Sequence, residues 1–185
     1  MHIISNHPFS RMPANRQRQW FFLLLVATLV VMIALQVIGA PLQTEAAPGG
    51  IVTFEFAGDV ATARHIIESW QGATLASAGL SLGLDFLFLL LYGAAISMAC
   101  VGLAERLMMR HSRFAALGVA LAWGAWLASL LDAIENLALI RLLLGDFNAI
   151  WPPLAYGCAA VKFALVLAGL LYTLVGAILL RVERR

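Results

Sequence analysis

Four apolar runs, each long enough to cross a lipid bilayer, constrain this chain more than anything else in it. A membrane-spanning helix needs roughly 20 consecutive apolar residues at about 1.5 Å of rise each. Runs of that kind extend over about 20–40, 80–103, 114–144 and 152–180. The first carries no charge and the second only Asp85. The third carries Asp132, Glu135 and Arg141, and the fourth only Lys162. The whole chain is 12% charged and 62% hydrophobic, whereas an ordinary soluble domain is about 25% charged. Such a composition excludes a disordered chain, a coiled coil and a nucleic-acid-binding domain, which needs a basic face. The expected fold is all-α: a polytopic membrane protein with four transmembrane helices in an antiparallel bundle.

The arginines set the orientation. Arg11, Arg16 and Arg18 precede the first run, Arg106, Arg110 and Arg113 lie between the second and third, and Arg181, Arg184 and Arg185 follow the fourth. With four spans these three regions share one side, and basic residues mark the cytoplasmic side. Both termini are therefore expected in the cytoplasm of a multi-pass protein of the cell (inner) membrane. Of the acids, only Glu105 and Glu183 fall on that side. The first run is longer than the roughly 7–15 residues of a signal-peptide core. Pro41 also follows Ala40 directly, a poor cleavage context, so an uncleaved first helix is expected. Residues 1–19 read as a disordered cytoplasmic segment, with Met12 an alternative start, and 181–185 as a cytoplasmic tail. Trp20, Trp70 and Trp151 fall at expected membrane interfaces, and Trp123 and Trp126 deeper, as packing residues. Cys100 and Cys158 fall near opposite faces of the bilayer and are not expected to pair.

Residues 41–79 form the only sizeable stretch expected outside the spans. Pro48-Gly49-Gly50 signals a turn. Ile51 to Phe56 is short, β-branched and aromatic, which predicts a strand or an extended interfacial segment. Asp59 is placed to cap a following helix. In that helix Val60, Ala63, Ile67 and Trp70 recur at helical spacing, and Arg64 and Glu68 stand four apart on the polar side. The result is a short extracytoplasmic amphipathic helix, on the outer leaflet or over the bundle.

Ionisable side chains inside a span cost at least about 2.5 kcal/mol each, so the four well inside, Asp85, Asp132, Glu135 and Lys162, call for an account. Asp132 and Lys162 are equidistant from Phe147, the centre of the expected hairpin loop, and so reach a similar depth. Glu135 and Asn136 share a helix face with Asp132 at i, i+3 and i+4. Asp85 enters at a comparable depth from the second run, with Tyr92 on its face. Gly169, Thr173 and Gly176 continue the Lys162 stripe and permit close helix approach. Gly79 and Gly83 form a short GxxxG. A pair of charges would fix helix register, and three acids exceed that need.

The cluster is therefore read as an outward-facing intramembrane pocket for a small cation, a proton or a polar headgroup. Asp85, Asp132 and Glu135 would hold charge, Asn136 would hydrogen-bond, and Lys162 would pair or gate. Tyr92, Arg64, His65 and Arg141 are possible contributors. The alternative is a structural or accessory subunit whose buried charges only fix packing. A lipid-acting membrane enzyme is the lesser alternative, because no nucleophile beside a base is identifiable. No paired histidine or Cys-x-x-Cys points to a metal, and no cofactor motif is present. Expected partners are the bilayer, a second copy or a larger membrane complex, and not nucleic acid.

Four stretches carry a resemblance: Phe54-Glu55-Phe56-Ala57-Gly58, Leu84-Asp85-Phe86, Asp132-Ala133-Ile134-Glu135-Asn136 and Lys162-Phe163. Together they are similar to a family of small, uncharacterised bacterial four-helix integral membrane proteins. The resemblance spans roughly 54–175 and implies a fold and a membrane location, without an activity.

Overall fold

The computed structural model describes residues 7–109 and 111–182. The elements are α1 (Ala14–Gly39), α2 (Ile51–Glu55), α3 (Val60–Ser69), α4 (Ala73–Leu107), α5 (Ser112–Leu143) and α6 (Trp151–Val182). Short 3-10 turns occupy Pro8–Arg11 and Ala40–Leu42, and no strand occurs among the described residues. Helices α1, α4, α5 and α6 are long and apolar enough to cross a membrane. Arg110, Glu183, Arg184 and Arg185 lie outside the described residues.

The helix boundaries differ from the sequence reading where apolar content and helix propensity diverge. Helix α4 begins at Ala73 rather than near Leu80. Gly72, at φ 56°, makes the preceding turn. The stretch after it mixes alanine with Thr74, Ser77 and Gly79 and is not apolar enough to read as a span. Residues 7–19, expected to be disordered, are ordered in part by His7. Its Nδ1 accepts from the Phe9 backbone N–H, and its Nε2 lies 3.1 Å from Ser97 Oγ. The ring stands edge-on to Trp123, centroids 4.9 Å apart. Burial lowers the pKa of His7 from 6.5, which suits a neutral imidazole with one donor and one acceptor nitrogen. Residues 1–6 of the same expectation lie outside the described residues. Trp123 itself is 49% exposed and packs on one side only, against His7.

The chain divides into two compact units, both of which draw on all four long helices. The first comprises the described residues of Met1–Thr28, Leu91–Ser129 and Phe163–Arg185. There α4 and α6 approach closely at the expected small residues: a Cβ on Gly169 would collide with Ile96, and one on Gly176 would press on Leu103. The second comprises Leu29–Leu90 and Leu130–Lys162. Its core packs Leu42, Phe54, Ile66, Trp70, Leu82, Leu139 and Leu142 together. Cys100 and Cys158 are both buried free thiols.

The segment between α1 and α4 contributes much of that second core. Ile51–Phe56 is not extended. Gly50, at φ 60°, starts a helical turn, and Thr53 Oγ1 accepts from the Gly49 N–H at 2.8 Å. A single helical turn puts Phe54 against Trp70, edge to face at 5.3 Å, an arrangement alternating side chains would not provide. Asp59 caps α3 as expected, accepting from the Thr62 N–H at 2.9 Å. Helix α3 then buries Ala63 and Ile66. Trp70, expected at a membrane interface, is instead a core residue. It is 1% exposed, and its indole N–H donates to the Leu42 carbonyl at 2.9 Å. The indole thus ties the end of α3 to the turn after α1. Trp70→Ala should lower stability by about 3–5 kcal/mol, and Trp70→Phe by about 1 kcal/mol for the lost hydrogen bond. Denaturant titration of the purified variants in mild detergent checks both values.

Candidate functional site

Every group of the site lies in the second unit, carried by α2, α4, α5 and α6. Helix α5 places Asp132, Glu135 and Asn136 on one face by their i, i+3, i+4 spacing. All three are at most 3% exposed. The turn after α5 is a Schellman motif: the Asp146 N–H donates to the Arg141 carbonyl and the Gly145 N–H to that of Leu142. Gly145, at φ 88°, supplies the left-handed residue that motif requires. Asp146 then accepts from the Trp151 indole at 2.9 Å, and α6 begins with Pro152 and Pro153 in its first turn.

Lys162 Nζ donates to Asp132 Oδ1 at 2.6 Å and to Glu135 Oε1 at 2.9 Å. It also lies 3.7 Å from Glu55 Oε2, within ion-pairing reach. Asn136 Nδ2 donates to Asp85 Oδ2 at 2.7 Å, joining α5 to α4. The five residues singled out from the sequence are therefore brought together. Arg64, His65 and Arg141 make no hydrogen bond or ion pair with them among the described residues. Arg64, His65 and Arg141 are exposed. The Arg64 guanidinium lies over the Phe147 ring, 4.0 Å from its centroid. Tyr92 is buried in the first unit.

Glu55 is the member that sequence reasoning missed. A strand over Ile51–Phe56 gives its side chain no particular destination. In the helical turn Phe54 is fixed in the core, and the neighbouring Glu55 turns its carboxyl to Lys162. The available signal was one acid in a six-residue stretch after Gly49-Gly50 that is apolar apart from Thr53.

Glu55, Asp85, Asp132 and Glu135 face one ammonium group. Fully ionised, they would leave three uncompensated negative charges, which a low-dielectric site does not sustain. Two carboxylate oxygens, Glu55 Oε2 and Glu135 Oε2, are buried without a hydrogen-bond partner. Burial raises the Glu55 carboxyl from 4.5 to about 7. The Lys162 charge opposes that shift, and Asp132 and Asp85 add to it. Folding therefore takes up a proton at Glu55 in the interval between those two values. The associated stabilisation is full below pH about 4.5 and is lost as pH rises through about 7. Among the described residues no group of three or more His, Cys, Asp or Glu is arranged to hold a metal ion. The lysine occupies the position a cation would take among these carboxylates.

Comparison with protein-family models, curated proteins and solved structures finds no match to this chain. The four-stretch resemblance noted from the sequence gains no support from these comparisons.

Removing the ammonium alone should be far worse than removing the pair. Lys162→Leu leaves buried acids unpaired and should cost about 3–5 kcal/mol, more at high pH than at low. Adding Asp132→Leu should recover a large part of that loss. A double-mutant cycle on denaturant unfolding measures both effects.

Proposed function

We propose that this chain is a multi-pass integral membrane protein whose buried cluster binds and releases a proton. The observation that carries the reading is the pair of buried carboxylate oxygens without a hydrogen bond, Glu55 Oε2 and Glu135 Oε2, the first 3.7 Å from a lysine already engaged by Asp132 and Glu135. Of a small cation, a proton and a polar headgroup, the proton fits best. It needs no cavity, it satisfies an orphaned carboxylate oxygen directly, and it reduces the charge imbalance. A carboxyl titrating near 7, such as Glu55, exchanges a proton under physiological conditions.

The membrane setting rests on the four long apolar helices and on their exposed side chains, among them Val37 on α1 and Leu167 on α6. Contiguous apolar surface of this kind needs lipid or protein against it. We place both termini in the cytoplasm of an inner-membrane protein because the three arginine triplets then share one face. In that orientation the four long helices form an antiparallel bundle. Helices α2 and α3 lie on the outer side, so the proton enters by way of Glu55.

A structural role for the charges is the second reading. Lys162 joins α6 to α5 and Asn136 joins α5 to α4, which is how buried polar contacts fix helix register. The two readings separate on titration. Infrared difference spectra of the purified chain in lipid nanodiscs, from about pH 5 to about pH 9, follow the C=O stretch of protonated carboxyls. The proton-binding reading predicts a protonated carboxyl lost near neutral pH in the wild type, with that change abolished in Glu55→Gln. A spectrum unchanged over the same interval overturns it and leaves the register role.

A further inference from the structure

A second feature, confined to the first unit, is not used by the acid cluster. A cavity of about 600 Å³ is lined by α1, α4 and α6. Phe21, Met98 and Leu103 give it an apolar wall. Gln17, Arg18 and Arg106 also line it. The Arg18 guanidinium lies over the Phe22 ring, 5.8 Å from the centroid. Gln17 is 7% exposed, and its side-chain Nε2 has no hydrogen-bond partner. A second cavity of about 170 Å³ shares Leu103, Arg106 and Ala177 with the first and adds Arg181. Glu105, partly buried on α4, lines neither cavity, but its carboxylate lies beside the Gln17 amide and the Arg106 guanidinium.

We propose that this cleft binds one anionic phospholipid, its phosphate held by Arg18, Arg106 and Arg181, and an acyl chain laid along Phe21, Met98 and Leu103. The proposal rests on the membrane reading above and is independent of the proton site. Guanidinium groups offer paired donors that match phosphate oxygens. Basic clefts between transmembrane helices on the cytoplasmic side suit anionic headgroups, and the arginine-based topology puts Arg18, Arg106 and Arg181 on that side. Free phosphate would satisfy the arginines and leave the apolar wall bare. A zwitterionic lipid would cover the wall, while its own cation would face three guanidinium groups.

Native mass spectrometry of the full chain from mild detergent tests this, with phosphatidylglycerol and phosphatidylcholine of identical acyl chains as probes. Phosphatidylglycerol should be retained about tenfold more tightly, a difference of about 1.4 kcal/mol. Arg18→Gln combined with Arg106→Gln should bring it down to the phosphatidylcholine level. Ala177→Phe narrows the cleft without removing charge and should weaken retention of both lipids. Arg141→Gln, an exposed arginine of the second unit, should leave the preference intact. Equal retention of the two lipids overturns the site. So does a preference that survives the double substitution, or displacement of the lipid by millimolar inorganic phosphate. Carbonate extraction of expressing membranes tests the membrane reading separately. A chain released by carbonate overturns that reading together with the lipid site, whereas an integral chain indifferent to lipid charge overturns the lipid site alone.

Discussion

The second unit depends on one ammonium group. Lys162 is 6% exposed, on a helix apolar enough to lie in lipid. A charge there is tolerated only where its partners are good. Asp132 at 2.6 Å and Glu135 at 2.9 Å are such partners, and both are held by α5 one turn apart. Because α5 and α6 are joined by a short capped turn, that geometry is a consequence of local chain folding. Asp146 holds the turn twice over, through its backbone N–H to Arg141 and its carboxylate to Trp151.

The same ammonium group explains why the segment between α1 and α4 is structured. Glu55 gains a cation only if α2 is helical, and α2 is held by Phe54 against Trp70. Trp70 is held in turn by the Leu42 carbonyl. A chain of contacts thus links the loop after α1, the amphipathic helix α3 and the buried charges, all within one unit. The excess of acids follows from it. The carboxyl that α2 adds is pushed toward its protonated form first by burial and then by Asp132 and Asp85, against the pull of Lys162.

Much of this was legible in the sequence, and the limits have physical causes. The face shared by Asp132, Glu135 and Asn136 follows from helical periodicity, and the meeting of Asp132 with Lys162 from the equal distance of those two from Phe147. Both are properties of long regular helices with a short connection. Glu55 was not legible, because a β-branched and aromatic stretch of six residues reads as strand. Tertiary packing of Phe54 on Trp70 overrode that propensity. Trp70 was misplaced for a related reason: aromatic belts describe tryptophans that lack a core to enter, and α2 with α3 builds one.

The account stands on the bridging of Lys162. Solid-state NMR of the chain in lipid bilayers can measure dipolar couplings from the Lys162 side-chain nitrogen to the carboxyl carbons of Asp132 and Glu135. Strong coupling to both carboxyls, at direct ion-pair distance, is the predicted result. Coupling to neither, or to Asp132 alone with Glu135 remote, would contradict it.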